Sequence, residues 1–391
     1  MKQVEEFVAA AGDDLRVFFA PGRVNLIGEH TDYSGGYVFP AALSFGTHAY
    51  VRPRTDGVFR VASTHFDLEV MFGTENLVYR AEDDWANFPK GVVRELAQRG
   101  IPLSGAEILY HGNIPNGAGL SSSASIELVT AVALAALGGV DLSRVELVLM
   151  CQKVENEFIG VQCGIMDQFA VGMGRANHAV LLNCDTLEYR YAPLELGDYQ
   201  LVITHTNKRR QLLDSSYNER RTECETALAQ IQAHHPEVGS LGELSAAGWR
   251  EARPLLQEFP VLQRRVEHVV SENDRVLASC RALESGDLAE FGRLMIQSHE
   301  SLRDLYEVTG QELDALVEAA RVVDGCIGTR MTGGGFGGCT VSLVHREAIG
   351  EFQELVAARY TAQTGLTPTF YVCAIGDGAQ EVKGELSTWQ S

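Results

Sequence analysis

The sequence is short of positive charge. Its 32 lysine and arginine residues stand against 52 aspartate and glutamate residues, which gives a formal net charge of −20. A field of this sign repels nucleic acid and anionic membrane surfaces, so we expect the protein to bind neither as its main activity. The same field repels nucleotides, so a nucleotide site in this chain has to supply its positive potential locally.

Long hydrophobic runs are also lacking. The longest uncharged apolar stretch lies between Glu127 and Asp141 and has 13 residues, fewer than the roughly 20 that a membrane-spanning helix needs. The amino-terminal segment carries acidic residues where a secretory signal needs a basic start and an apolar core. These absences predict a soluble protein that works in the cytoplasm.

Two common motif classes are missing as well. The eight cysteines are scattered without a CxxC pair, which excludes a zinc knuckle or a dense disulfide scaffold and favours reduced thiols. The sequence GxxxxGK[ST] does not occur, so a Walker-type phosphate loop is excluded. Any phosphate site must therefore be built another way.

Hydrophobic periodicity divides the chain into strand-rich and helix-rich parts. The first hundred residues have the short runs and the Pro-Gly, Gly-Gly and Asp-Gly turns that are typical of strands. Apolar residues at helical spacing then predict helices over 121–137 and 143–159, and the first is apolar on nearly every side, which indicates a buried helix. Strands follow, then a helix-rich block from about 214 to 323, then a β-α-β end. This pattern is α+β, and it predicts two domains, 1–196 and 197–391.

The first unusual segment is APGRVNLIGEHTDYSGGY at 20–37, a glycine-rich stretch that follows a predicted strand. It brings a guanidinium, carboxylates, an imidazole and a hydroxyl close together along the chain. Such a cluster can satisfy many hydroxyls of one polyol ligand. A polar surface turn is the ordinary alternative, and the density of short polar side chains between Gly28 and Gly36 weakens that alternative.

The second segment is GNIPNGAGLSSSASIE at 112–127, in which glycines lead through three serines into the predicted buried helix. Small residues let backbone N–H groups approach an anion, and the helix N-terminus adds a partial positive charge. The serine hydroxyls can cap the helix, or one of them can bind Mg²⁺ beside a phosphate. A glycine-rich loop with serine caps and no ligand is the alternative.

A third segment, ENEFIGVQCGIMDQF at 155–169, places Glu155 and Glu157 at the end of one helix and Asp167 early in the next element. Carboxylates placed in this way can hold a metal ion or accept a proton. Acidic residues at helix ends are also commonly solvated or act as caps, so this segment alone leaves both interpretations open.

The fourth segment is RMTGGGFGGC at 330–339. It formally matches GxGxxG, but a dinucleotide-binding fingerprint requires a helix after the glycines, and the run that follows is strand-like. A glycine loop between strands lets backbone come close to a ligand or to another loop. Tyr217, in SSYNERR at 215–221, is a weaker candidate for a pocket wall, because an aromatic residue on a helix face is common.

Together these segments resemble the GHMP small-molecule kinases and, within them, the galactokinases. GRVNLIGEHTDY at 22–33 resembles the galactokinase signature, GAGLSSSAS at 117–125 the nucleotide loop of the family, and MTGGGFGGC at 331–339 its third glycine-rich motif. ENEFIGVQCGIMDQF at 155–169 and SSYNERR at 215–221 also match galactokinase patterns. The matches cover nearly the whole chain and follow the order of the family.

The resemblance implies a fold and an activity. The fold is the two-domain GHMP kinase fold, with an N-terminal domain like the second domain of ribosomal protein S5 and a ferredoxin-like C-terminal domain. The active site would lie in the cleft between them. The activity is ATP-dependent transfer of a phosphoryl group to the anomeric C1 hydroxyl of α-D-galactose, the first committed step of galactose use, with Mg²⁺ as cofactor. Galactose and ATP would be the partners of a monomeric enzyme.

The resemblance also implies roles for individual residues. Asp167 would accept or steer the proton of the C1 hydroxyl, and Arg23 would stabilise the negative charge that develops during transfer. Ser123 and Glu155 would bind Mg²⁺. The sugar would be held by Glu29, His30, Thr31, Asp32, Gly164 and Tyr217. The nucleotide would be held by Ser63, Gly117, Ala118, Gly119, Leu120, Ser121, Ser122 and Ser123.

Two other functions stay open at this point. A kinase for N-acetylgalactosamine or another hexose would differ only in the shape of the pocket near the C2 hydroxyl. A non-catalytic sensor would bind galactose and ATP and signal to a protein partner. The intact GLSSSAS loop together with Arg23 and Asp167 argues against the sensor, which needs no catalytic groups, so the sequence predicts an active enzyme.

Overall fold

The computed structural model describes residues 2–115, 118–208 and 213–383. The strands are β1 (Arg16–Asn25), β2 (Tyr37–Val38), β3 (Pro40–Pro53), β4 (Phe59–Ser63), β5 (Val70–Phe72), β6 (Ala106–Gly112), β7 (His178–Asn183), β8 (Tyr189–Pro193), β9 (Tyr199–His205), β10 (Cys326–Thr332), β11 (Cys339–His345), β12 (Thr369–Cys373) and β13 (Gln380–Glu381). The helices are α1 (Lys2–Ala11), α2 (Asn87–Gln98), α3 (Ser122–Leu137), α4 (Arg144–Lys153), α5 (Met166–Met173), α6 (Leu213–Gln232), α7 (Ala246–Ala252), α8 (Pro260–Glu284), α9 (Leu288–Ser301), α10 (Gly310–Ala320) and α11 (Ile349–Thr364).

The first sheet has six strands in the order β13-β1-β3-β6-β4-β5, and its neighbours are antiparallel except for the parallel pair β4 and β6. Helices α2 to α5 pack with it around one apolar core that includes Phe18, Ile108, Leu128 and Phe169. Helix α3 is buried along most of its length, which confirms the prediction from its all-round apolar pattern. The pairing of β1 with β3 shifts register just before Arg23, where the glycine-rich signature begins.

The second sheet is antiparallel and has the strand order β10-β11-β9-β12. Helices α10 and α11 cover it through a core that includes Val202, Leu316, Phe352 and Tyr360. The glycine-rich segment at 333–338 lies between β10 and β11, as the strand-like run after it predicted.

A third sheet, β2-β7-β8, lies beside a core that both halves of the chain share. That core joins Leu26 and Phe39 from the first half to Val276, Phe291 and Val341 from the second. Strand β13, from the end of the described chain, also pairs with β1 in the first sheet. The α+β class is confirmed, and the domain boundary near residue 196 stays a prediction.

Two helices contradict the strand-rich prediction for the first hundred residues. They are α1 and α2. The sequence of α2 hides its helix because Pro89 and Gly91 both lower helix propensity, whereas Val92 and Leu96 contribute fully buried side chains to the first core. A Cβ atom at Gly91 would lie 2.5 Å from Val154 Cγ1, so tight packing requires the glycine. Within the described ranges, the structure contains no helix long and apolar enough to cross a membrane.

Candidate active site

The segments that stood out in the sequence meet at one cleft with a volume of about 260 Å³. Strand β1, the N-terminal ends of α3 and α5, helix α6 and the loop between β10 and β11 all contribute to it. Its lining residues are Arg23, Glu29, His30, Asp32, Gly119, Ser121, Ser122, Ser123, Glu155, Val161, Cys163, Gly164, Met166, Asp167, Tyr217, Gly333, Gly334 and Gly335.

Arg23 and Asp167 form a two-pronged ion pair in this cleft. The Nε–H of Arg23 donates to Oδ1 of Asp167 at 2.9 Å, and its Nη2–H donates to Oδ2 at 3.0 Å. Nη1 donates to the carbonyl oxygen of Gly119 at 2.6 Å, so the same guanidinium also fixes the glycine-serine loop. Arg23 is buried, whereas the side chain of Asp167 is 31% exposed and faces the cleft. Arg23 supplies a positive charge at the cleft, and the carboxylate of Asp167 balances it within the pair.

Ser121 adds a further donor to the same carboxylate. Its hydroxyl donates to Oδ2 of Asp167 at 2.6 Å. Its backbone lies in the left-handed region at φ 61°, and its side chain makes no capping hydrogen bond to α3. The Ser121 hydroxyl therefore contacts Asp167 and does not cap the helix. A non-glycine residue in this conformation carries strain that the surrounding contacts must hold in place.

Glu29 and His30 form the inner wall of the cleft. Oε1 of Glu29 accepts the backbone N–H of Gly333 at 2.7 Å and lies 3.5 Å from Nη1 of Arg330. Burial raises the pKa of Glu29, although Arg330 and Arg23 act in the opposite direction. Burial, with a smaller contribution from His268, lowers the pKa of His30 to about 3, so this imidazole is neutral at physiological pH.

Asp32 and Gly164 lie against each other in the lining of the cleft. A Cβ atom at Gly164 would lie 2.0 Å from Oδ2 of Asp32, so only glycine lets the carboxylate take this position. Burial, followed by the negative charges of Asp167 and Glu29, raises the pKa of Asp32 to about 6. The ring of Tyr217 lies 5.5 Å from that of His30, centroid to centroid, and closes this side of the cleft.

The side chains of three residues predicted for the site, Thr31, Ala118 and Leu120, do not line either pocket, and the roles predicted for these residues stay predictions. The Thr31 hydroxyl is buried within 3.0 Å of the carbonyl oxygen of Gly28 and 2.8 Å of that of Tyr37, so it faces the backbone of its own loop. Ala118 and Leu120 are buried in the apolar core that the two halves share. Gly117 lies outside the described residues, and its predicted role in nucleotide binding stays a prediction.

A second pocket of about 470 Å³ adjoins the cleft at Ser122 and Ser123. Ser63 lines this second pocket and not the first. Several of its walls are flat and aromatic, and the rings of Phe66 and Trp85 are stacked with centroids 6.2 Å apart. The further aromatic lining residues are Phe88, Tyr110 and Tyr371. Its shape and apolar walls suit a planar ring system whose polar end points to the start of α3.

Ser123 and Glu155 fit the requirements of a magnesium ion. Glu155 lies in the π-helical turn Val154–Ile159 that continues α4, and its Oε1 is buried without a hydrogen-bond partner among the described residues. Burial raises the pKa of Glu155, and hydrogen bonding from Ser123 opposes that shift. Mg²⁺ prefers one or two protein oxygens completed by phosphates and water. In the described ranges no cluster of three or more ligating His, Cys, Asp or Glu side chains occurs, so nucleotide phosphates would have to supply most of the remaining ligands.

Known protein families match the regions of the chain that form the cleft. The galactokinase galactose-binding signature matches residues 5–53, the GHMP kinase N-terminal domain matches 87–175, and the GHMP kinase C-terminal domain matches 279–362. The galactokinase of Halalkalibacterium halodurans is 54% identical over 371 residues, which are 95% of this chain and 94% of that protein. The chain belongs to the galactokinase family. The galactokinase of Bacillus subtilis is 49% identical over 98% of this chain and 99% of its own.

Solved structures agree with membership of the galactokinase family. The crystal structure of Lactococcus lactis galactokinase complexed with galactose matches with a TM-score of 0.93 at 42% identity, over 97% of this chain and 99% of that one. A mevalonate kinase structure matches with a TM-score of 0.66 at 18% identity, over 92% of this chain and 99% of that one, which is a likeness of fold alone. The predicted two-domain GHMP kinase fold is confirmed.

Sequence reasoning missed the residues of α8 that support the signature loop. His268 Nε2 donates to the carbonyl oxygen of Glu29 at 3.1 Å. Oε1 of Glu272 accepts the N–H of Gly28 at 3.0 Å, and Oδ1 of Asn273 accepts the N–H of Tyr37 at 2.8 Å. The available signal was the spacing, because His268 and Glu272 lie four residues apart and therefore on the same face of the helix.

Proposed function

We propose that this chain transfers the γ-phosphoryl group of ATP to the C1 hydroxyl of α-D-galactose. The observation that carries the proposal is the position of Asp167, held by Arg23 and Ser121 between the polar wall of Glu29 and His30 and the glycine-serine loop. A carboxylate at that place can meet a sugar hydroxyl on one side while a phosphate lies on the other. The galactose-bound relative of the same fold supports galactose as the sugar.

In the proposed reaction the C1 oxygen attacks the γ-phosphorus as the bond from that phosphorus to the bridging oxygen of ADP breaks. The proton of the hydroxyl passes to the Asp167 carboxylate, and the guanidinium of Arg23 stabilises the negative charge on the transferring group. Phosphoryl transfer depends on positioning and charge neutralisation more than on covalent help. Arg23 provides both, because its hydrogen bonds also hold Asp167 and the Gly119 carbonyl in place.

The nucleotide would extend across both pockets. Its base would lie between the aromatic walls of the second pocket, near Ser63, and its phosphates at the N-terminal end of α3, which carries a partial positive charge. Ser123 and Glu155 would hold Mg²⁺, which would neutralise part of the phosphate charge. The hydroxyls of Ser122 and Ser123 line both pockets and can donate to phosphate oxygens.

The substrates also bear on the cellular location. The cysteine spacing is not that of a disulfide scaffold, and ATP is a cytosolic substrate, so we infer an enzyme of the cytoplasm. A monomer and a domain boundary near residue 196 stay predictions, which sedimentation and limited proteolysis can test.

The test is ADP formation from Mg-ATP with galactose, glucose, mannose or N-acetylgalactosamine, with the product identified by ³¹P and ¹³C NMR. We expect turnover with galactose and a phosphate on C1. A clear preference for another sugar would keep the mechanism and change the substrate. Galactose binding without turnover on any sugar would overturn the kinase proposal in favour of a sensor.

A further inference from the structure

A chain of hydrogen bonds runs from the sugar-side wall of the cleft into the helical part of the protein. Nε2 of His30 lies 3.2 Å from the carbonyl oxygen of Gly334, and Nδ1 lies 2.8 Å from the hydroxyl of Tyr33. That hydroxyl lies 2.9 Å from the hydroxyl of Tyr306, which in turn lies 3.0 Å from Sγ of Cys224. His30, Tyr306 and Cys224 are buried, and Tyr33 is half-buried.

Elementary donor and acceptor rules fix the direction of every bond in this chain. A carbonyl oxygen only accepts, so Nε2 of His30 must carry the proton that points at Gly334. A neutral imidazole then has an acceptor at Nδ1, which takes the single proton of Tyr33. The Tyr33 oxygen therefore accepts from Tyr306, and Tyr306 accepts from the thiol of Cys224.

We propose that Tyr33, Tyr306 and Cys224 are positioning residues that stabilise His30 as the Nε2–H tautomer, so that its ring donates to the Gly334 carbonyl and ties the loop between β10 and β11 to the sugar-side wall of the cleft. The proposal rests on galactose phosphorylation as the function of this cleft. It defines how the protein holds the backbone of Gly334 at the wall of the sugar pocket. The opposite tautomer would turn a lone pair toward the pocket and toward the Gly334 carbonyl.

The backbone explains why His30 needs such support. His30 lies in the left-handed region at φ 60°, which a residue with a side chain adopts at a cost. Its ring packs against those of Tyr217 and Tyr306, with centroids 5.5 and 5.0 Å away. Ring packing fixes the plane of the imidazole, but it does not decide which nitrogen carries the proton. The Gly334 carbonyl decides it, because it can only accept, and the proton that Tyr33 donates to Nδ1 stabilises the same tautomer.

The neutral state of the ring agrees with its surroundings. Burial lowers the pKa of His30 to about 3, and the nearby His268, Arg220 and Arg330 act in the same direction, against the Gly334 carbonyl. The phenols of Tyr33 and Tyr306 keep their protons, because burial raises both of their pKa values. The direction of these hydrogen bonds therefore stays the same throughout the physiological pH range.

Two isosteric variants test the chain, and a third is their matched control. Tyr33→Phe removes the donor to His30, while Tyr306→Phe removes the next link and keeps the ring that packs on His30. Tyr360→Phe also deletes a buried phenol hydroxyl, which donates to the carbonyl oxygen of Thr206 at 2.7 Å. Tyr360 lies in the core of α11, outside both pockets.

The first readout is ¹⁵N NMR of the protein labelled at histidine, with the His30 signals assigned by comparison with His30→Gln. We expect a protonated Nε2 and an unprotonated Nδ1 in the wild type, with no titration between pH 5 and 9. Tyr33→Phe should change the shift of Nδ1, and Tyr360→Phe should leave it unchanged. A protonated Nδ1 in the wild type would overturn the proposal, and this result does not depend on turnover or on either variant folding.

The second readout is the split between binding and catalysis. We expect Tyr33→Phe to raise KM for galactose roughly five- to tenfold, the value of one hydrogen bond, with kcat within about twofold and KM for ATP unchanged. Tyr306→Phe should act in the same direction to a smaller extent. Equal galactose KM values in Tyr33→Phe and Tyr360→Phe would contradict the proposal. If no sugar is turned over, the galactose affinity measured by calorimetry replaces KM. Failure of the proposed kinase function can then be distinguished from failure of the proposal about His30.

Discussion

Ser121 donates its hydroxyl proton to Oδ2 of Asp167 at 2.6 Å, on a carboxylate that already accepts two N–H groups from Arg23. Each carboxylate oxygen offers two lone pairs, so the three donors orient Asp167 and still leave a lone pair free for a substrate proton. Ser121, which precedes α3 in a left-handed backbone conformation, thus helps to orient Asp167 of α5. This relationship leads to the first prediction.

Ser121→Ala should lower kcat roughly tenfold, because a hydrogen bond to a charged group is worth about 1.5–3 kcal/mol. Galactose affinity should change little, since Arg23 still holds Asp167. Steady-state kinetics and calorimetry measure the two effects. Ser125→Ala is the control, because Ser125 lies in the first turn of α3 and donates to the carbonyl oxygen of Ala20 at 2.8 Å. A kcat for Ser121→Ala equal to that of the control would contradict the role of Ser121.

Arg23→Lys should lower kcat by about 10²–10³, although it keeps the positive charge. Lysine is a point charge and cannot hold both oxygens of Asp167 and the Gly119 carbonyl in one plane. Arg16→Lys is a matched control on the same strand, because Arg16 makes a two-pronged pair with Glu381 at 2.8 Å for each bond, away from the cleft. We expect that control to retain wild-type kcat. Near-normal turnover by Arg23→Lys would show that charge alone suffices.

Gly164→Ala should raise KM for galactose about tenfold or more and leave KM for ATP nearly unchanged. The new methyl group would occupy the place of the Asp32 carboxylate and force it away from the sugar. Gly350→Ala is the control, because Gly350 lies in α11 with open space around its Cα. If Gly164→Ala binds galactose normally, Asp32 does not contact the sugar from the observed position.

The pH dependence of stability should reveal Asp32. Burial and the charges of Asp167 and Glu29 raise its pKa from 3.8 to about 6, so between these values the folded state binds more protons than the unfolded state. This group therefore adds stability as the pH falls through 6 and removes it as the pH rises. Asp32→Asn should melt at a higher temperature than the wild type at pH 8, and the difference should shrink toward pH 5. A constant difference would show that Asp32 does not titrate in this range.

Much of the site could be predicted because its residues are close together in sequence. Arg23, Glu29, His30 and Asp32 occur in one segment, and the structure places all four in the cleft with Asp167. Their signal was the density of polar residues between glycines, which does not depend on knowledge of the fold. The loop at 333–338 was assigned correctly because the strand after it has a recognisable pattern.

The residues that support the site could not be predicted in this way, because their roles depend on contacts between distant parts of the chain. Glu272 supports the N–H of Gly28 across 244 residues of sequence, and Tyr306 reaches Tyr33 across 273. Thr31 shows that a correctly predicted segment can contain a residue whose side chain does not face the site. Its neighbours His30 and Asp32 line the cleft, whereas its own hydroxyl faces the backbone. Local composition shows neither which distant residues come into contact nor in which direction a side chain points.

The central claim, that Asp167 accepts the proton of the sugar hydroxyl, is tested most directly by Asp167→Asn. Galactose affinity by calorimetry and galactose-dependent ADP formation should be measured on the same preparation. We predict binding within a few fold of the wild type and a fall in kcat of about 10²–10⁴, the range that a positioned acid or base contributes. Turnover within tenfold of the wild type would contradict this role for Asp167.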